Sequence, residues 1–224
     1  MIRQSKIFEV YEADFGRRKQ LYTKNLALGQ NVYGEKLVNE NGAEYREWDV
    51  SKSKLASSIL KGAANIGIRK NDAVLYLGSA SGTTVSHVSD IVGAEGMVFA
   101  VDIAPRVMRD LIFLCYSRKN IAPVLADANK TNELKNRISA VDAVYQDVAQ
   151  KNQLDIFLKN ADLFLKNGGY GLLAVKARSI DVTKNPRQIF KETREKLEKA
   201  MAIIDYRELD PFQKDHCMFI CKKK

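Results

Sequence analysis

Short apolar runs alternate with amphipathic segments through the last two thirds of the chain. The runs are nearly continuous in apolar residues and predict buried strands at 73–78, 96–102, 121–127, 141–147 and 169–177. Helices are predicted between and after them, over 83–92, 105–119, 131–139 and 152–167 and from Pro186, with 203–210 and 216–223 as a final strand pair. This alternation predicts an α/β domain, in which helices cover a parallel sheet on both faces.

The first 50 residues follow a different pattern. Aromatic and β-branched residues nearly alternate over 7–14, 19–26, 30–38 and 43–50, with turn residues between them. Asn41-Gly42 is a strong hairpin signal. We therefore expect a small antiparallel β module over 1–50 and a second domain over 51–224, whose first helix is capped by Ser51 or Ser53.

Charge adds a prediction about partners. The 224 residues include 36 Lys and Arg against 27 Asp and Glu, a net charge of +9. Residues 1–70 carry +5, residues 71–150 carry −2 and residues 151–224 carry +6, so the surplus lies in the flanks. This distribution favours a polyanionic partner, nucleic acid before membrane.

Several classes of protein are not expected. No apolar run is long enough for a transmembrane helix, and the first 15 residues lack the apolar core of a signal peptide, which favours a cytoplasmic location. Three cysteines without metal-ligand spacing and only two histidines argue against a metal centre. We expect His87, on the helix over 83–92, to be a packed side chain rather than a catalyst.

Polar and small residues follow each predicted strand at the edge where parallel sheets bind ligands. The first strand leads into the loop Gly78-Ser79-Ala80-Ser81-Gly82-Thr83-Thr84, which has neither dinucleotide-fingerprint nor P-loop spacing. Asp102 ends the second strand, Asp127-Ala128 the third, and Asp147-Val148-Ala149-Gln150 the fourth. A carboxylate after the second strand can accept from ribose hydroxyls, so the set favours an adenosine-containing ligand.

NAD and S-adenosylmethionine both fit such a set of residues. A dinucleotide needs a second mononucleotide half, but no second glycine loop follows residue 150. S-adenosylmethionine is therefore favoured, and its amino-acid end suits the amides and hydroxyls of Thr83 and Thr84.

Methyl transfer to a ribose hydroxyl needs an aligned nucleophile whose proton is removed or shared. Lys176 ends the apolar run at 169–177, and sheet order places it beside Asp147. Lys54 precedes the first strand of the sheet, and His216 begins the last one. A Lys-Asp-Lys cluster is thus geometrically feasible, with a lysine as base, although Lys54 and Lys176 could instead be surface lysines.

Long strings of the sequence resemble one known family. They are VYGEKLV (32–38), YREWDVSKSKLA (45–56), VLYLGSASGTTVSHVSDIVG (74–93), PRVMRDL (105–111), VYQDVAQ (144–150), GGYGLLAVKARSIDVTK (168–184) and KDH (214–216). In these stretches the chain resembles fibrillarin in its short, archaeal form. It departs in GSASG, where GAASG is commoner, and in Asp102, where Glu is usual.

The resemblance implies a Rossmann-like class I methyltransferase sheet of seven mostly parallel strands, and an S-adenosylmethionine-dependent RNA 2′-O-methyltransferase activity. It implies that Gly78 and Ala80 belong to the cofactor loop and that Thr83 and Thr84 contact methionine. It places Asp102 and Ile103 at the ribose, Asp127 and Ala128 at the adenine, and residues 147–150 along the transfer site.

The resemblance also implies a catalytic group of Lys54, Asp147 and Lys176, with His216 as a fourth member. Lys54, Arg178 and Lys184 are expected to face RNA. Two other functions stay open: methyl transfer to a protein glutamine side chain, and a catalytically silent role in ribonucleoprotein assembly.

Fibrillarins work in box C/D ribonucleoproteins, which implies three kinds of partner. A guide RNA would select nucleotides in target rRNA or tRNA, a Nop-domain scaffold protein would hold the chain, and a kink-turn-binding protein would anchor the RNA. Because base pairing would supply specificity, no sequence-reading motif is needed. The chain also lacks a Gly/Arg-rich N-terminal extension, so a nucleolar location is not expected.

Overall fold

The computed structural model describes residues 1–16 and 18–224. In this part of the chain an N-terminal antiparallel sheet precedes a larger sheet covered by helices. The N-terminal strands are β1 (Arg3–Gln4), β2 (Val10–Phe15), β3 (Arg18–Lys24), β4 (Leu37–Glu40) and β5 (Ala43–Trp48), in the order β1-β2-β3-β5-β4. Asn41 and Gly42 connect β4 to β5 as predicted, with positive φ at both residues.

Seven strands form the second sheet. They are β6 (Ala73–Leu77), β7 (Met97–Asp102), β8 (Ile121–Leu125), β9 (Val141–Gln146), β10 (Leu165–Lys176), β11 (Met201–Glu208) and β12 (His216–Lys223). Their order is β11-β12-β10-β9-β6-β7-β8. The strands from β10 to β8 are parallel, whereas β12 pairs antiparallel with both β10 and β11. The predicted α/β fold with a mostly parallel seven-stranded sheet is confirmed.

Helices pack on both faces of this sheet. They are α1 (Lys54–Leu60), α2 (Thr83–Val92), α3 (Pro105–Cys115), α4 (Thr131–Leu134), α5 (Gln153–Phe164), α6 (Ala177–Ile180) and α7 (Pro186–Ala200). One hydrophobic cluster joins α1, α2, α3 and the N-terminal sheet, and a second joins α5 and α7 to the opposite face. No helix in the described part of the chain combines the length and apolarity needed to span a bilayer.

Three predicted elements have different limits in the structure. The helix predicted to end at Gly168-Gly169 ends at Phe164, because Leu165 already pairs with Val141 of β9 and the glycines form an irregularity inside β10. The strand predicted over 30–38 is reduced to β4, since Glu35 turns inward and bonds backbone amides in a loop. The helix predicted over 131–139 is the single turn α4.

A buried ionic network joins the N-terminal sheet to α2. The Arg46 guanidinium contacts Glu35 at 2.6 Å and Asp90 at 2.8 Å, and Arg118 donates to the other oxygen of Asp90. All four side chains are at most 1% exposed. Removing one member would leave a buried charge unpaired, which typically costs about 3–5 kcal/mol, so the network fixes how the N-terminal sheet sits on the helices. The predicted boundary between two domains at residue 50 stays a prediction.

His87 lies beside this network as a packed side chain, as predicted. Its ring stacks on Trp48, and its nitrogens lie 2.7 Å from Thr23 Oγ1 and 2.8 Å from the Tyr33 hydroxyl. Burial, together with Arg46 and Arg118, holds the His87 pKa well below its usual value. The imidazole is therefore neutral at pH 7.

Candidate active site

The order of the strands creates a crevice between β6 and β9. The chain runs outward from β6 through β7 to β8 and then returns to β9 on the other side of β6. At such a switch point the loops that follow the two strands diverge, and ligands bind between them. Here those loops begin with Gly78 and Asp147.

Gly78 is required by the way these two loops approach each other. Its φ is +83°, and a Cβ atom at this position would lie 2.3 Å from the carbonyl oxygen of Asp147. Any side chain would therefore displace the backbone of Asp147. The first glycine of the loop therefore sets the width of the crevice, a packing role that was not predicted from the sequence.

A cleft of about 290 Å³ occupies the crevice. Ten residues predicted to contact a cofactor line it: Gly78, Ala80, Asp102, Ile103, Asp127, Ala128, Asp147, Val148, Ala149 and Gln150. Val101 and Ala126 complete the lining. Residues from four separate loops thus meet on one concave surface.

The carboxylates in the cleft are held in place by backbone amides. Asp102 accepts from Ala80 N at 2.8 Å and from Ala104 N at 2.9 Å. Each carboxylate oxygen has a second lone pair, so Asp102 can still accept from two hydroxyl groups of a ribose. The short Asp102 side chain therefore has the acceptors that the family's usual Glu would supply.

Asn129 organises the end of the cleft that lies beyond Asp102. Its amide donates to Asp127 Oδ1 at 3.0 Å and to Gln150 Oε1 at 2.9 Å, which joins the loops after β8 and β9. Asn129 was not predicted from the sequence, although it is a polar residue two positions after Asp127. Small apolar walls, the Asp102 carboxylate with its remaining lone pairs and this amide network fit the adenosine part of S-adenosylmethionine, and the predicted ribose contact stays a prediction.

Thr83 and Thr84 do not line this cleft. They begin α2, and the hydroxyl of Thr84 is buried and donates to Ser53 Oγ at 3.0 Å. Ser53, one of the two predicted caps, is also the N-cap of α1 and accepts from Ala56 N. The Thr84 side chain therefore ties α2 to α1. The backbone N–H groups in the first turn of α2 remain available to a ligand, because no side chain caps this helix. The methionine contact stays a prediction.

The predicted catalytic residues converge beside the cleft. Lys54 Nζ lies 2.8 Å from Asp147 Oδ2, and the two side chains are 19% and 24% exposed. Lys176 and His216 are register partners on β10 and β12, so they lie side by side at the sheet edge that Asp147 shares. The structure thus brings together four residues from α1 and three strand ends, although their catalytic roles stay a prediction.

His216 is oriented by its own loop. Its Nδ1 lies 2.6 Å from the carbonyl oxygen of Lys214 and therefore donates to it. Burial lowers the His216 pKa, with Lys54 and Lys176 adding to the effect while the Lys214 contact and Asp147 oppose it. The ring is consequently neutral at pH 7, and its Nε2 carries the lone pair.

A buried glutamine holds the backbone of Lys176 in place. Gln153 Oε1 accepts from Lys176 N at 3.0 Å, and Gln153 Nε2 donates to the carbonyl oxygens of Lys176 and Gln150. Gln153 is fully buried at the start of α5. It therefore ties the lysine to the loop that lines the cleft. The signal that could have found it is a glutamine in the otherwise apolar face of a predicted helix.

The two other residues expected to face RNA are paired: Arg178 is exposed and Lys184 is partly exposed. Arg178 Nε lies 3.0 Å from Asp215 Oδ2, and Lys184 Nζ lies 3.0 Å from Glu192 Oε2. Exposed pairs of this kind contribute about 0–1 kcal/mol, so a phosphate can displace the carboxylate. Within residues 1–16 and 18–224, no cluster of His, Cys, Asp or Glu is arranged to hold a metal ion.

The strand order and the cleft define a Rossmann-like, class I methyltransferase architecture. A family model described as fibrillarin matches residues 1–224, and the chain belongs to this family. It is 49% identical to the fibrillarin-like rRNA/tRNA 2′-O-methyltransferase of Methanocaldococcus jannaschii over 222 residues, which cover 98% of this chain and 96% of that protein.

Two solved structures are also closely similar. Aeropyrum pernix fibrillarin, in complex with natively bound S-adenosyl-L-methionine, is 43% identical with a TM-score of 0.91, and the match covers 99% of this chain and 97% of that one. A fibrillarin/Nop5p complex contains a chain that is 40% identical with a TM-score of 0.87, over 97% and 99% of the two chains. The resemblance in sequence therefore extends to the whole fold.

Proposed function

We propose that this chain transfers the methyl group of S-adenosylmethionine to the ribose 2′-hydroxyl of RNA. The observation that carries the proposal is the Lys54–Asp147 pair at the mouth of a cleft suited to adenosine, next to Lys176 and His216. The activity named for the 49% identical relative and the cofactor bound by Aeropyrum pernix fibrillarin support it.

The cluster has the groups that a hydroxyl nucleophile needs. S-adenosylmethionine, when bound, supplies an electrophilic methyl group on a sulfonium. Lys54 fixes the carboxylate of Asp147, which can accept a hydrogen bond from the 2′-hydroxyl and orient its oxygen. The positive charge of Lys54 stabilises the negative charge that develops on that oxygen. The free Nε2 of His216 is a second acceptor for the proton, beside the predicted lysine base.

The acceptor is proposed to be RNA because of the charge around the cluster. Residues 1–70 and 151–224 carry +5 and +6, whereas the segment that supplies most of the cleft carries −2. A neutral glutamine side chain would not call for this surplus, so a protein acceptor is less well supported. The cluster of four polar side chains likewise argues against a catalytically silent assembly subunit.

The chain is proposed to act inside a box C/D ribonucleoprotein. The fibrillarin/Nop5p complex supports a Nop-domain scaffold as one partner. A guide RNA, its target rRNA or tRNA and a kink-turn-binding protein complete the proposal, because the family resemblance implies them. Positioning dominates a displacement reaction, so we expect poor methylation by the isolated chain.

Transfer of a tritiated methyl group to RNA, with and without guide RNA and scaffold proteins, tests the proposal. We expect site-specific methylation only in the assembled particle, and a loss of at least 100-fold, on the order of one general-base contribution, for Lys176→Ala. Lys159→Ala is the matched control, because Lys159 is an exposed lysine of α5 away from the cleft. Unchanged methylation by Lys176→Ala in a normally assembled particle would refute the catalytic assignment.

A further inference from the structure

A second cleft lies at the end of the seven-stranded sheet opposite to the candidate active site. It has a volume of about 530 Å³ and is lined by residues 6–8, 64–66 and 68–70. Arg69 and Lys70 precede β6, whereas Gly78 follows it. The five residues of β6 span about 17 Å at roughly 3.4 Å per residue, so no side chain can serve both clefts. We name this feature the basal cleft.

All the charged side chains that line the basal cleft are positive, although the carboxylates of Asp72 and Asp205 accept from the backbone amides of Arg69 and Ala64 in its walls. Its lining includes Lys6, Arg69 and Lys70 and no carboxylate. All three side chains are exposed, and none of them forms an ion pair within the described part of the chain. Near the candidate active site, by contrast, Lys54, Arg178 and Lys184 are each paired with a carboxylate. Unpaired cations around one concavity attract a polyanion.

An aromatic ring lies among these cations. Phe8 is 45% exposed, although it is large and apolar. Its neighbour Ile7 is buried. The chain around Ile7 is fixed by two hydrogen bonds, from Gln4 Nε2 to Ile7 O at 2.9 Å and from Ile7 N to Ser5 Oγ at 3.0 Å. The ring is therefore held at the surface rather than left there by a loose terminus.

The opposite wall of the basal cleft is also fixed. Gly67 N donates to Asn65 Oδ1 at 2.7 Å, and Gly67 packs directly against the ring of Tyr170. Ala64 N donates to Asp205 Oδ2 at 3.1 Å. A ligand would thus meet two preformed walls, so the protein loses little conformational entropy when the ligand binds.

We propose that the basal cleft binds a single-stranded segment of RNA, with the three cations on its phosphates and a base stacked on Phe8. Cations that follow a backbone, together with an exposed aromatic ring, are the two features of sequence-independent single-strand binding. The inference rests on the proposed function only for the class of ligand. It adds an RNA contact distant from the site of methyl transfer, which would hold a long RNA while the active site acts elsewhere on it.

The test compares two variants of the full chain that lose the same charge. The first replaces Lys6, Arg69 and Lys70 with Gln, and the control replaces Lys159, Lys191 and Lys199, exposed lysines of α5 and α7, with Gln. Fluorescence anisotropy with a 20-nucleotide single-stranded RNA is measured across a salt titration without cofactor. Three lost phosphate contacts should reduce the slope of log K against log salt by about 2, since each contributes roughly 0.7.

We expect this change in slope for the first variant and a small change in affinity for the control. Phe8→Ala should weaken binding about five-fold or more with the slope unchanged, because stacking is not electrostatic. An equal effect of the two triple variants would overturn the proposal, since the surplus charge would then act diffusely. Loss of scaffold-protein binding with normal RNA affinity would overturn it too.

Methyl transfer is measured separately in the assembled particle at saturating RNA. Both triple variants should keep the wild-type turnover, because neither changes a residue of the candidate active site. A wild-type chain that binds RNA but transfers no methyl group would contradict the proposed function and leave the binding result intact. The two proposals can therefore fail independently.

Discussion

Gly78→Ala should damage methyl transfer more than it damages the fold. The new Cβ would lie 2.3 Å from Asp147 O, where side-chain carbons essentially never come closer than 3.0 Å. The backbone of Asp147 must therefore move away by about 0.7 Å. The carboxylate of the same residue pairs with Lys54, so this shift disturbs the catalytic group. Because a misplacement of about 1 Å can cost 10²-fold in rate, we expect turnover to fall by roughly 10- to 100-fold.

The effect on stability has two parts. A non-glycine residue at φ +83° costs about 1–2 kcal/mol, and crowding in a packed region costs about 1–3 kcal/mol more. Gly34→Ala is the matched control, because Gly34 has the same φ of +83° but nothing within 4 Å of an added Cβ. It should show the backbone cost alone and keep normal turnover.

Urea unfolding gives the two stabilities, and methyl transfer in the assembled particle gives the two rates. We expect Gly78→Ala to remain folded under assay conditions but to turn over slowly. Gly34→Ala should remain folded and keep the wild-type turnover. Turnover of Gly78→Ala within three-fold of the wild type would show that the crevice can widen without moving the catalytic group. Equal losses for both variants would show that backbone strain, not the contact with Asp147, is responsible.

Three further predictions follow from the site and its surroundings. Gln153→Met keeps the side-chain volume but removes the hydrogen bonds to the Lys176 backbone. We expect a turnover at least ten-fold lower with an unchanged KM for RNA, whereas an equal change in KM would indicate a merely structural role. Asp127→Ala should weaken S-adenosylmethionine binding by roughly 10-fold or more, because one hydrogen bond to a charged group is lost. A wild-type affinity in titration calorimetry would contradict the assignment of Asp127 to the adenine. Because the His87 pKa is lowered in the folded chain, the unfolded chain binds a proton there that the folded chain does not. The free energy of unfolding should therefore decrease as pH falls below about 6.5. The contribution of His87 is up to about 1.4 kcal/mol per pH unit. His87→Phe should remove that component of the slope in urea unfolding at pH 5–7, and an identical slope would show that His87 is protonated in the folded chain.

Local signals in the sequence were enough to predict the class of fold and most of the residues that line the cleft. Alternating apolar runs and helical periodicity are local signals, and the polar residues after the strands meet because parallel strands end at one edge of the sheet. Asp102, Asp127 and Asp147 could be assigned to one crevice for that reason. The antiparallel hairpin at Asn41-Gly42 was equally predictable, since its turn residues are adjacent in sequence.

Which polar groups are available to a ligand could not be predicted from the sequence, because it depends on contacts between elements distant along the chain. Thr84 looked like a cofactor contact, but its hydroxyl is used by Ser53, 31 residues earlier in the chain. Gln153 and Asn129 looked ordinary, and they hold Lys176 and the far end of the cleft through bonds between different loops. Periodicity reports which face of an element is buried, but the partner of each polar atom depends on elements distant in sequence, and therefore on the packed fold.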